Sequence, residues 1–165
     1  MKYLLFFFPF VLSAQPIRTS RWDSIMEPTH VMQPEDDLLF VKAKVNNKDA
    51  IFLLDTGSGT SVFDIRQLSD YGLQATKMFD AIVSGIGGNS SVSKVNNLSA
   101  IKIDTTMYAI NLIAADLTLV KNNISRNAKL TIAGILGSDF FEYHKVVIDY
   151  RRNRIIFQDR MFTMF

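Results

Sequence analysis

With 165 residues, 48% of them hydrophobic and 12% aromatic, the chain can bury one sizeable core, which excludes a disordered protein. A formal net charge of +2 leaves no broad basic face, so nucleic acid is not an expected partner. The chain has no Cys, hence no disulfide framework and no thiol for lipid attachment, and its core packing must hold it together.

Met1-Lys2, the apolar run Tyr3 to Leu12 and Ser13-Ala14-Gln15 follow the order of a secretory signal, with cleavage expected after Ala14. The run is well short of the ~20 residues that a spanning helix requires, so no stable membrane anchor is expected. The mature chain is expected to be exported, to the periplasm or beyond the cell. Residues 15–37 hold Pro16, Pro28, Pro34 and the acidic run Glu35-Asp36-Asp37, and read as an extended lead-in or pro-segment with little regular structure. Residues 38–158 form the domain proper, and 159–165 an apolar tail.

From residue 39 the texture becomes β-rich. Leu39, Val41, Ala43 and Val45 alternate with Phe40, Lys42 and Lys44, which predicts a half-buried strand. Asn46-Asn47-Lys48-Asp49 reads as a turn, and Ala50 to Leu54 as a returning strand. That strand ends on Asp55-Thr56-Gly57-Ser58, where an apolar run delivers a carboxylate onto a tight, hydroxyl-rich turn. A carboxylate there requires compensating hydrogen bonds or a partner, and Gly57 lets backbone N–H groups come close. Val62-Phe63 continues the sheet, and Asp64 is placed to cap a short helix over Ile65 to Asp70, ended by Gly72. Ala81 to Val83 and Ser91 to Val95 flank the glycine-rich hairpin tip Ser84 to Asn89. Ala100 to Ile103 and Met107 to Ala114 read as a hairpin over Asp104-Thr105-Thr106. Residues 116–130 carry no assignable pattern. Thr131 to Leu136 reads as an apolar strand, Ser138 as the cap of a helix of about two turns through His144, and Val146 to Tyr150 with Arg154 to Phe157 as a closing hairpin. The fold class expected is all-β in the main, a small barrel with one or two short helices.

Three separated motifs then share one pattern. Leu53-Leu54-Asp55-Thr56-Gly57-Ser58 resembles the active-site signature of aspartic peptidases. Gly85-Ile86-Gly87-Gly88, about thirty residues on, resembles the flap tip of the retropepsin family. Gly134-Ile135-Leu136-Gly137-Ser138-Asp139 resembles the strand and helix that pack behind the acid in that family, with Ile135, Leu136, Gly137 and Asp139 in support. The closing segments around Val147 to Tyr150 and Ile155 to Phe157 resemble its bacterial members. The chain departs from the viral members at Ser138-Asp139, where those commonly carry Arg-Asn.

The resemblance implies a retropepsin-like acid protease barrel over residues 38–158 and an aspartic endopeptidase acting on peptides or proteins without cofactor or metal. Only one such signature is present, since Asp104-Thr105-Thr106 lacks the glycine, so the resemblance implies a homodimer in which each chain gives one acid. It further implies that Asp55 is catalytic, that Thr56 bonds across the dimer, and that Ser58 and the Gly57 N–H donate to the Asp55 carboxylate. The hairpin near Gly85 to Gly88 would close over substrate. The alternative reading keeps the fold and loses the chemistry, leaving a catalytically silent peptide-binding or assembly module. His30 and His144 stand apart from any acidic cluster, and Asp139 reads as a first-turn helix acid rather than a second catalytic residue.

Overall fold

The computed structural model describes residues 29–30, 38–85, 88–128 and 130–158. A short strand β1 (Thr29–His30) precedes the hairpin β2 (Leu39–Val45) and β3 (Lys48–Leu54). Asn46 and Asn47 both take positive φ, 48° and 66°, as a two-residue hairpin turn requires, so the turn is shorter than the four residues expected. β4 (Val62–Asp64) leads into a 3₁₀ helix, Ile65–Tyr71, capped by the Asp64 carboxylate on the Arg66 N–H and ended by Gly72 at φ 67°. The long arms β5 (Gln74–Gly85) and β6 (Gly88–Asn96) follow, then β7 (Ala100–Ile103), β8 (Thr106–Ala109) and β9 (Ile113–Ala115). Helix α1 (Thr118–Ala128), β10 (Gly134–Leu136), helix α2 (Ser138–Tyr143), β11 (Val146–Asp149) and β12 (Arg154–Phe157) complete the order.

Nine strands form one sheet, in the order β5-β6-β9-β4-β10-β3-β2-β7-β8, curled as a half-barrel. A smaller sheet has the order β1-β12-β11. The feature that positions the site is the place of β10. It runs parallel to β3, with Ile135 opposite Leu53, and antiparallel to β4, with Ile135 opposite Val62. β3 and β4 follow one another in sequence yet lie on either side of β10. Their connection, residues 55–61, must therefore arch over the end of β10. Gly134 makes the tight entry possible: a Cβ there would lie 2.3 Å from the Val62 carbonyl oxygen and 2.8 Å from the Phe52 ring.

Pleating divides the apolar residues between two faces. Phe52, Leu54, Phe63 and Leu136 join the larger cluster, with Phe140, Phe157 and Tyr108, whose ring stacks on Phe157 at 4.0 Å. Leu53, Val62 and Ile135 form the opposite face with Leu117, Ile124 and Ile132. Each such side chain, taken fully out of water, is worth roughly 1.5–3 kcal/mol.

Several local expectations are corrected. Met107 to Ala114 is not one strand: β8 stops at Ala109, and residues 110–112 carry the chain from the sheet's end to β9 near its middle. The strand expected over Thr131 to Leu136 is confined to Gly134–Leu136. Ser138 is the first residue of α2 rather than its cap; Gly137 takes the cap position and the helix ends at Tyr143. The closing strand ends at Asp149, and Tyr150–Arg152 is a 3₁₀ turn. The unassigned stretch holds the eleven-residue helix α1. The expected signal at 1–14, the tail at 159–165 and most of the lead-in lie outside the described residues.

Candidate functional site

The chain leaves β3 at Asp55, whose N–H donates to the Leu136 carbonyl at 3.0 Å, so the β3–β10 ladder runs on into the acid. Alternation then puts the Asp55 side chain on the face of Leu53, opposite Phe52 and Leu54. The Gly57 N–H donates to Asp55 Oδ1 at 2.9 Å, and the Ser58 N–H to the Asp55 carbonyl at 3.1 Å. A backbone donor directed at one carboxylate oxygen fixes its rotamer. Asp55 and Ser58 are half-buried, while Thr56, Gly57, Gly59 and Thr60 are exposed.

Behind, the loop is tied to the start of α2. Ser61 has no exposed surface, and each of its polar groups is used. Its N–H donates to Asp139 Oδ2 at 3.0 Å and its hydroxyl to Asp139 Oδ1 at 2.7 Å. The same hydroxyl accepts from the Gly137 N–H at 3.0 Å, and the Ser61 carbonyl from the Ile113 N–H at 3.2 Å. The Ser138 N–H donates to the Ser58 carbonyl at 2.8 Å. Gly137 passes so close beneath the loop that a Cβ there would lie 2.7 Å from the Ser58 carbonyl oxygen and 2.8 Å from backbone atoms of Thr60. Backbone cannot swing aside as a side chain can, so glycine is required by the approach itself.

A second set of bonds holds the segment carrying α1. The Asp64 N–H donates to the Ala133 carbonyl at 2.8 Å, and the Lys121 ammonium to Asp64 Oδ2 at 2.7 Å. Asp64 has no exposed surface, so this ion pair is partly desolvated. Arg66 donates to Asp116 Oδ2 at 2.8 Å, and the Gln67 amide to the Ile132 carbonyl at 3.1 Å. Asp116 also accepts from the hydroxyl and N–H of Thr118, capping the start of α1. Those bonds from Thr118, with the nearby Arg66 charge, hold the Asp116 carboxyl below the usual range for aspartate.

The sequence motifs thus meet as follows. Asp55, Thr56, Gly57 and Ser58 form one loop, and Ile135, Leu136, Gly137 and Asp139 pass beside and beneath it. The hydroxyl of Ser58 is a correction: it donates to the Thr60 carbonyl at 2.8 Å, within the loop, and not to Asp55. Asp139 lies in the first turn of α2 as expected, yet its carboxylate is directed into the loop and bonds Ser61. Gly85 and Gly88 pair at the ends of β5 and β6, and Ile86 and Gly87 lie outside the described residues. His144 is buried among Tyr108 and Phe140, its Nε2 2.7 Å from the Ala109 carbonyl. No group of three or more His, Asp or Glu placed to hold a metal occurs among the described residues. Sequence reasoning missed Ser61 and Lys121, and found Asp64 only as a helix cap, which it is, and not as the partner of Lys121. The partners of Ser61 and Asp64 lie 78 and 57 positions away, and no local pattern marks them.

The described architecture is shared with solved structures. The retroviral protease-like domain of Ddi1 from Leishmania major superposes with a TM-score of 0.53 at 13% identity, over 76% of this chain and 91% of that one, which shows the fold. EIAV protease complexed with an inhibitor matches at a TM-score of 0.49 and 20% identity, over 72% of this chain and 99% of that one. A retropepsin-like aspartic protease from Rickettsia conorii matches at 0.49 and 17%, over 79% and 90%. No curated protein matches the sequence. The sequence model of the family described as aspartyl protease matches residues 41–140, which span the acid loop, β10 and the start of α2. The chain belongs to that family, and its fold is the one seen in the retroviral protease-like domain.

Proposed function

We propose that the protein is an aspartic endopeptidase that works as a homodimer, with Asp55 of each chain forming the catalytic pair. The observation that carries this reading is the state of the acid loop. Its rear is held by Ser61, Gly137 and Asp139, while Thr56 and Gly57 stand exposed beside a half-buried carboxylate. One chain supplies one acid. A second copy related by a two-fold axis would bring the two carboxylates together.

Two carboxylates about 3 Å apart cannot both ionise, so they share a proton and titrate as a pair. The ionised member accepts a proton from a water held between them as that water attacks the peptide carbonyl. The protonated member donates to the carbonyl oxygen, and no covalent intermediate forms. The Gly57 N–H on Oδ1 keeps the carboxylate in the loop plane through these steps. The β5–β6 hairpin would lie over the substrate as a flap. Export through the N-terminal segment would put this activity on peptides outside the cytoplasm.

The test is cleavage of a peptide library by residues 15–165 across pH 3 to 7, beside Asp55→Asn. Asn keeps the shape of the side chain and cannot hold the shared proton. The expected outcome is an acid-leaning profile for the parent and a loss of at least about a thousandfold for the variant, in line with removal of a general base and its partner acid together. A folded, dimeric parent that cuts nothing would favour the silent peptide-binding module.

A further inference from the structure

The acid has apolar neighbours on its own face. Leu53, Ile135 and Val62 stand in register across β3, β10 and β4, and Leu53 precedes Asp55 by one pleat repeat. In a single chain these are apolar groups on the face of the acid, against which a substrate side chain could rest. They are nevertheless covered, at 6%, 7% and 5% exposure. The same cluster holds Phe40 and Val92 from β2 and β6, and Leu117, Ile124 and Ile132 from the segment between β9 and β10, with Val120 packed against it.

That segment is not loosely laid. Four bonds reach it from the short stretch Asp64 to Gln67: at its start on Asp116, in its middle on Lys121, and at its end on Ile132 and Ala133. The Ala133 N–H also donates to the Ile51 carbonyl at 2.7 Å. Residues 64–67 are themselves continuous with the acid loop through β4. The cover and the acid are thereby fixed in one frame, and the cover is a wall rather than a flap.

We infer that α1 is the specificity wall of this site, and that Ile124 is the residue that limits how large a substrate side chain can sit against Leu53 and Ile135. The inference rests on the protease reading above. With the row beside the acid already filled by the chain's own helix, the subsite on that side is shallow, and small residues such as Ala, Ser and Gly are accepted there in preference to Leu or Phe. Removing methylenes from Ile124 deepens the subsite without touching the acid, its loop or its hydrogen bonds.

The experiment is competitive cleavage of a peptide library in which one residue flanking the scissile bond runs from Gly to Phe. It is made with the parent, Ile124→Ala, Ile124→Val and, as a control, Ile101→Val, which removes the same methylene from the cluster on the opposite face. The expected result is a parent that favours small residues, and a rise in the Leu-to-Ala ratio of kcat/KM of about tenfold or more in Ile124→Ala. Ile124→Val should rise by a smaller factor and the control not at all. Should Ile124→Ala fail to fold, the graded change in Ile124→Val decides. A parent that already prefers Leu or Phe overturns the inference, as does an unchanged ratio in a folded Ile124→Val, or an equal rise in the control; in each case the protease reading stands. A parent that cuts no peptide overturns both.

Discussion

The two sides of the acid loop differ in how completely their polar groups are used. At the rear, Ser61 is fully buried with its N–H, hydroxyl and carbonyl all bonded, and Gly137 leaves no room for even a methyl group. At the front, Thr56 and Gly57 are exposed beside the carboxylate. A buried polar group left without a partner costs about 1–3 kcal/mol, so a lock of this kind is stable only when complete. The contrast teaches that the loop's shape is set within one chain, before anything meets its front. Substitutions at the rear should therefore be read in stability, and those at the front in association and activity.

The largest break is expected at the ion pair that ties α1 to β4, next to the rear of the loop. Lys121→Met strips Asp64, whose carboxylate has no exposed surface, of its one charged side-chain partner among the described residues. Removing one member of a buried pair costs about 3–5 kcal/mol, because the other charge is left behind. Urea unfolding of this variant should show that loss, and a midpoint within error of the parent would mean that Asp64 relaxes towards water. Gly137→Ala comes next, at about 3 kcal/mol, since overpacking against backbone forces the loop itself to move. For this variant the informative readout is paired: stability and cleavage should fall together, whereas a stable but inactive variant would show the loop shifted rather than loosened.

Asp139→Ala is expected to cost about 1–3 kcal/mol, as it leaves the Ser61 N–H and hydroxyl without their acceptor in a buried place. Asp139→Asn sharpens the point. An amide oxygen can accept one of the two bonds, so this variant should lose less than Ala. If the two variants unfold at the same denaturant concentration, the carboxylate acts as a first-turn helix acid and not as the tie to the loop.

What could be read from sequence follows the same divide between local and distant causes. The β2–β3 hairpin was legible because alternation and the Asn46-Asn47 turn are local signals. The acid loop was legible because Asp-Thr-Gly-Ser ends an apolar strand and two glycine-bearing motifs, Gly85 to Gly88 and Gly134 to Asp139, follow it in matching order. Helix α1 was not. Its residues include Thr118, Val120, Asn122, Asn123 and Ile124, none a strong helix former, and its apolar positions are sparse. The available signals were the Asp116 cap before Thr118 and the spacing of Leu117, Val120 and Ile124. The break between β8 and β9 was hidden for the opposite reason: residues 107–114 read as one apolar run, and no Gly or Pro marks where the chain crosses the sheet. The Ser61–Asp139 tie joins positions far apart in sequence, and Ser61 alone resembles any loop serine.

Thr56→Val is expected to have the smallest effect on the single chain and separates front from rear most cleanly. The change keeps the shape of the side chain and removes a hydroxyl that stands exposed, so unfolding of a dilute, monomeric sample should move by less than about 0.5 kcal/mol. In the proposed dimer the hydroxyl bonds across the two-fold axis, so symmetry removes two bonds at once. At about 0.5–1.5 kcal/mol each, their loss should raise the dimer Kd by about tenfold, with cleavage falling at low protein concentration and recovering at high. Sedimentation and activity measured over one concentration series test this directly. A Kd that rises while stability holds makes the front an interface prepared by the rear. A loss of stability without change in association would instead make Thr56 part of the same lock as Ser61, and the second acid would have to be sought through other contacts.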